Sequence, residues 1–132
     1  MRQTIWCLLA LVVMAHVGVA GESGDLSNLY GKWILESING QPTDSGKKLY
    51  FEIKETKDGP QISGFDGCNK FGGTLAPPAA LWKGQRGCPS GKLLLPLNLS
   101  DPRSQLDAAD VTGKVLTIPL PDGSGEADFR RY

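Results

Sequence analysis

The chain has 132 residues, with 14 Lys+Arg balanced by 14 Asp+Glu, three Cys, one His, 17 Gly and nine Pro. That length suits one domain. The zero net charge excludes a strongly basic nucleic-acid binder and an acidic disordered tail.

Met1-Arg2-Gln3-Thr4 is a short basic start, Ile5 to Val19 is almost wholly apolar, and polar sequence begins at Gly21. These are the parts of a secretory signal peptide, with cleavage expected after the small-x-small triplet Gly18-Val19-Ala20. The apolar run is about 15 residues, short of the ~20 that a membrane-spanning helix needs. No later stretch is apolar enough to span, so no transmembrane helix is expected in the mature chain. Removal of residues 1–20 takes with it Arg2, Cys7, His16 and both methionines, leaving a formal charge of −1 and two thiols. An exported chain with two cysteines favours one disulfide, Cys68–Cys88. The alternative is a reactive or metal-binding pair, which would lack a His to activate a thiolate or complete a common zinc set.

Residues 21–28 read as a polar lead-in. Gly31–Ile38 is β-rich, with Trp33 and Leu35 on one face and Ile34 and Ile38 on the other; Asn39-Gly40 supplies a turn. Lys48–Glu55 alternates, with Leu49, Phe51 and Ile53 to one side, as a strand with one buried face does. Gln61–Phe65 and Lys70–Leu75 read as short strands, and Leu81-Trp82 as the start of another. Ala76-Pro77-Pro78-Ala79 suits neither a helix interior nor a central strand. Pro96 confines Lys92–Leu97 to an edge or a loop. Ser100-Asp101-Pro102 is a helix start, and two turns over 103–110 would point Leu106, Ala109 and Val111 inward. Gly113–Leu120 and Glu126–Tyr132 read as a closing hairpin around Asp122-Gly123-Ser124-Gly125. The fold class is α+β and mainly antiparallel β: a small curled sheet or cracked barrel of six to seven short strands with at most one short helix. The expected core is Trp33, Leu35, Leu49, Phe51, Ile53, Ile62, Phe71, Leu116, Ile118 and Phe129.

Three segments resemble the META domain family, that of the exported bacterial heat-shock protein HslJ. They are Gly31-Lys32-Trp33-Ile34-Leu35, then Gly64-Phe65-Asp66-Gly67-Cys68-Asn69-Lys70-Phe71-Gly72-Gly73, then Gly113–Ile118 with its return strand. Gly31, Trp33, Gly64, Gly67, Cys68, Asn69, Phe71 and Gly72 carry the resemblance, which spans residues 29–132. Gln85-Arg86-Gly87-Cys88 keeps only the Cys of the family's Thr-x-Met-x-Cys-like segment, and Pro89, Gly91 and Pro96 shorten the family's helix to about 101–110. The resemblance implies a periplasmic or secreted, stress-related domain with little defined mechanism.

The glycine-rich motif read as an anion cradle lacks the order of a phosphate loop and a following helix, so turn chemistry is the better reading. Without His, no Ser-His-Asp or Cys-His arrangement is available, and no catalytic residue, metal or cofactor is expected. Asp107 and Asp110 would share a face of the presumed helix. Asp122–Glu126 only faintly echoes a calcium loop. Trp82 with Lys83, Arg86 and Lys92 forms a basic patch around an aromatic, suited to a contact surface. Asn98-Leu99-Ser100 fits a glycosylation sequon. Two functions follow. One is a non-enzymatic envelope domain that binds a protein partner or stabilises the envelope. The other is a carrier of a small apolar ligand or lipid in a cracked barrel.

Overall fold

The computed structural model describes residues 25–43 and 48–132. The expected signal peptide and the first residues of the lead-in lie outside them.

Among the described residues, a 3-10 turn over Ser27–Leu29 precedes nine strands and one helix: β1 (Gly31–Ile38), β2 (Gln41–Pro42), β3 (Tyr50–Thr56), β4 (Gly59–Phe65), β5 (Lys70–Thr74), β6 (Ala80–Lys83), α1 (Pro102–Asp107), β7 (Asp110–Thr112), β8 (Val115–Pro119) and β9 (Glu126–Arg131). They form one sheet in the order β6-β5-β4-β3-β1-β9-β8-β7, with β2 on β1, and every pair is antiparallel. The sheet does not close, because β6 and β7 are its two ends. The first long strand pairs with the last, so both ends of the domain meet at the sheet's centre. The strand count exceeds the expected six to seven because β2 and β7 are too short to show any alternation.

One face of the sheet carries the core. All ten expected core residues are buried on it, and the Phe51 and Phe129 rings meet edge to face across β1 at 5.1 Å. The alternation of apolar residues at period two places these side chains on one side of the pleat. In β1 the register shifts between Leu35 and Ser37. That shift turns Ile38 onto the core, against the expectation that it would share the other face with Ile34. Leu26 is also buried, so the core starts inside the stretch read as a polar lead-in. The indole of Trp33 donates to the Leu29 carbonyl at 2.8 Å. Arg131 lies over that indole at 4.3 Å and donates to the carbonyls of Tyr30 and Asn28. The C-terminal strand thereby fastens the N-terminal turn.

From β6 to β7 the chain leaves the sheet and crosses its apolar face, burying Leu95, Leu97 and Leu106. Asp101 caps α1, accepting from the Ser104 backbone N–H, and Pro102 stands in the first turn. The helix ends at Asp107, shorter than the expected 103–110. Asp107 pairs with Arg103 at 3.0 Å while Asp110 opens β7, so the two acids share no helix face. Buried Gln105 fastens this crossing: its amide donates to the carbonyls of Pro96 and Pro119, each at 2.9 Å, and accepts from the Asn98 N–H. Gln105→Leu keeps the volume and removes all three of these bonds. Urea unfolding should show a loss of about 2 kcal/mol, and an unchanged midpoint would show that the crossing does not depend on this amide.

The β8–β9 turn contains Asp122, whose carboxylate accepts from the Ser124 hydroxyl at 2.6 Å and from the Ser124 N–H at 2.9 Å. These bonds, the hydroxyl's first, hold the Asp122 carboxyl below its usual value. A lowered folded-state value stabilises the fold above the unfolded-state value and loses that contribution as pH falls through the folded one. In Ser124→Ala the Asp122 midpoint read by NMR should rise but stay depressed, since the backbone bond remains.

Candidate functional site

β4 and β5 are joined by the turn Asp66–Asn69, the centre of the glycine-rich motif. Asp66 is buried, and one of its carboxylate oxygens, Oδ1, accepts the backbone N–H groups of Cys68 at 2.8 Å and Asn69 at 2.6 Å. A short acidic side chain bonding its own turn is the usual role of Asp in such a position. The Asp66 carbonyl accepts from the Leu95 N–H at 2.8 Å, which docks the crossing segment onto the turn. Gly67 has φ of +103°, and a Cβ there would lie 2.8 Å from the Leu93 carbonyl oxygen. Glycine is required by both the backbone and the close approach.

Asn69 then extends the β5–β6 pairing by side chain. Gly84 N–H donates to the Lys70 carbonyl, and one step further the Asn69 amide takes the place of a strand. Its Oδ1 accepts from the Arg86 N–H at 2.8 Å and its Nδ2 donates to the Arg86 carbonyl at 3.0 Å. The Cys68–Cys88 disulfide, with Cα atoms 5.7 Å apart, locks the same segment two residues on. The motif is thus a clasp for residues 84–88, and its buried polar groups Asp66 and Asn69 are hydrogen-bonded within the fold. Of the remaining motif residues, Gly31 opens β1, Trp33 and Phe71 lie in the core, Gly64 faces the Phe71 ring, and Gly72 lies under the Trp82 indole.

Beside the clasp a surface cleft of about 390 Å³ opens, lined by the polar Asp66, Lys83, Asn98 and Ser100 and by Leu94, Leu97, Leu99 and Pro121. Lys83 Nζ stands 3.9 Å from Asp66 Oδ2. Leu94 is one of the few large apolar side chains exposed among the described residues. The spacing of the crossing segment's leucines follows neither helix nor strand period, so nothing in its pattern announced the cleft.

The structure divides the basic aromatic patch. Trp82 pairs with Gly72, on the sheet's outer face, and Lys83 with Phe71, toward the core side, where it reaches Asp66. Alternation along a strand makes neighbours face apart. Arg86 is an exposed residue of the clasped segment, held by its backbone, and Lys92 is exposed on the loop that follows. Among the described residues no three His, Cys, Asp or Glu side chains gather as a metal site, and no helix is long and apolar enough to cross a membrane.

Fold and clasp together define a mainly antiparallel, single-sheet β domain whose long crossing segment is tied to a glycine-rich turn by a disulfide. Residues 26–79 match the family model described as META domain. The match takes in β1 to β5 and the Asp66–Asn69 turn; Cys88, Lys83 and the leucines of the cleft lie beyond it. No curated protein and no solved structure matches the chain.

Proposed function

We propose that this chain is an exported, stress-related META-domain protein of the cell envelope, periplasmic or secreted, that works by binding and not by catalysis. The Cys68–Cys88 bond carries the reading, because structural disulfides form and persist in oxidising compartments. It agrees with the signal peptide read at residues 1–20. The cleft beside the clasp supports binding as the mode of action. A carrier would hold its ligand in this cleft and not inside the sheet, where the cracked-barrel reading expected it. The inner face is filled by Trp33, Phe51, Phe71, Leu116 and Phe129, so a ligand would take the surface cleft.

Cell fractionation with mass spectrometry and thiol titration tests export. The expected product begins at Gly21, lies outside the cytoplasm and has no titratable thiol when denatured without reductant. A full-length cytoplasmic product with free thiols would overturn the reading. Envelope-stress sensitivity of a deletion strain tests the stress role, and unchanged sensitivity would remove it.

A further inference from the structure

The charged groups that line the cleft are unevenly matched. The Asp66 carboxylate is answered by two backbone N–H groups on Oδ1 and by Lys83 near Oδ2. The Lys83 ammonium has three donors. Its ion pair with Asp66 is at 3.9 Å, beyond hydrogen-bond distance, and half of its side chain is exposed. The cleft therefore holds spare donors on Lys83, beside the polar groups of Asp66, Asn98 and Ser100, together with the apolar side chains of Leu94, Leu97, Leu99 and Pro121.

We infer that the cleft binds a small anionic amphiphile of the acyl-carboxylate type, its carboxylate on Lys83 and its chain along Leu94, Leu97, Leu99 and Pro121. This rests on the proposal that the protein acts by binding, and names the ligand class. The size of the site selects a small molecule. A volume of about 390 Å³ falls in the range of small-ligand pockets, roughly 300–1,000 Å³. A protein partner would need roughly 800 Å² of surface on each side.

A second groove, of about 250 Å³, is also lined by apolar and cationic residues, among them Ile34, Lys48, Arg130, Arg131 and Tyr132. Its cations are engaged. Arg130 pairs with Glu36 at 3.2 Å, Arg131 donates to two carbonyls, and Lys48 lies over the Tyr132 ring. In the cleft beside the clasp, by contrast, the Lys83 ammonium is held only by the 3.9 Å ion pair with Asp66.

Calorimetric titration with decanoate, decanol and decyltrimethylammonium, each below its aggregation threshold, tests the inference on the oxidised protein. Decanoate should bind about fivefold or more tighter than decanol, and the cation more weakly than either. Lys83→Met should bring decanoate down to the decanol level and leave decanol unchanged, while Lys83→Arg keeps the preference. Leu94→Ser should weaken both. Methyl NMR should place the shifts at Leu94, Leu97 and Leu99. Equal binding of acid and alcohol, a preference that survives Lys83→Met, shifts at Ile34 instead, or no binding would each overturn the inference. Export is read by fractionation and thiol titration and not by ligand binding, so an exported protein that ignores decanoate loses this ligand class and keeps its compartment.

Discussion

Replacing both Cys68 and Cys88 by Ala should lower the unfolding free energy by about 3 kcal/mol, the chain-entropy value for a loop of this size. The bond joins residues 20 apart, and the segment between them is ordered by β5, β6 and the clasp. Reduction of the unmodified protein should give nearly the same loss, since both treatments free the same loop in the unfolded state. Denaturant unfolding with and without reductant measures it. Coincident midpoints for oxidised and reduced protein would show that the Asn69–Arg86 bonds hold the segment unaided. The folded state should suffer locally: exchange protection should fall at Arg86, whose N–H ends on Asn69 Oδ1, and stay high across β1, β3 and β9.

The parts of this architecture that could be read in the sequence are those ruled by short-range periodicity. Leu49, Phe51 and Ile53 alternate with polar residues, and Trp33 and Leu35 do the same, so their strands and buried faces follow from the pleat alone. Asp101-Pro102 marks the helix start because capping is local chemistry. Ile38 escapes that logic. Its face depends on the register shift after Leu35, which exists only in the pairing of β1 with β9. Leu26 and Leu29 escape it too, for a single 3-10 turn has no amphipathic repeat to detect.

The site divides along the same line. Cys68 and Cys88 could be paired from their number once the expected signal peptide was set aside, and the turn chemistry of Asp66, Gly67 and Asn69 is visible in their residue types. Their partners are not. Leu95 reaches Asp66 and Arg86 reaches Asn69 across 29 and 17 residues of chain. The sequence neighbours Trp82 and Lys83 look like one patch, but the alternation of β6 sends them to opposite faces. The cleft is built by an irregular crossing segment, whose leucines carry no period that would have set them beside Lys83.

Gly64→Ala should cost about 3 kcal/mol, as a methyl group forced into a filled core does at the upper end of such substitutions. Gly64 faces Phe51 in β3 and Phe71 in β5. A Cβ there would lie 2.6 Å from Phe71 Cζ and 2.9 Å from its Cε1, and would also strike the Tyr50 carbonyl oxygen. Phe71 is fully buried, so its ring has nowhere to rotate without displacing its neighbours. The Tyr50 oxygen belongs to the β3 backbone and moves only with that strand. The cost is therefore steric and lies in the folded state, since Ala in the unfolded chain has less conformational freedom than Gly and would by itself favour folding. The companion substitution Phe71→Leu separates the two clashes. If the ring is the main obstacle, the double variant should recover stability relative to the sum of the single losses. If the Tyr50 carbonyl is the main obstacle, the losses should add. Thermal and urea unfolding of the three variants measures the coupling, and a Gly64→Ala protein as stable as the parent would show that β4 can shift away from both neighbours.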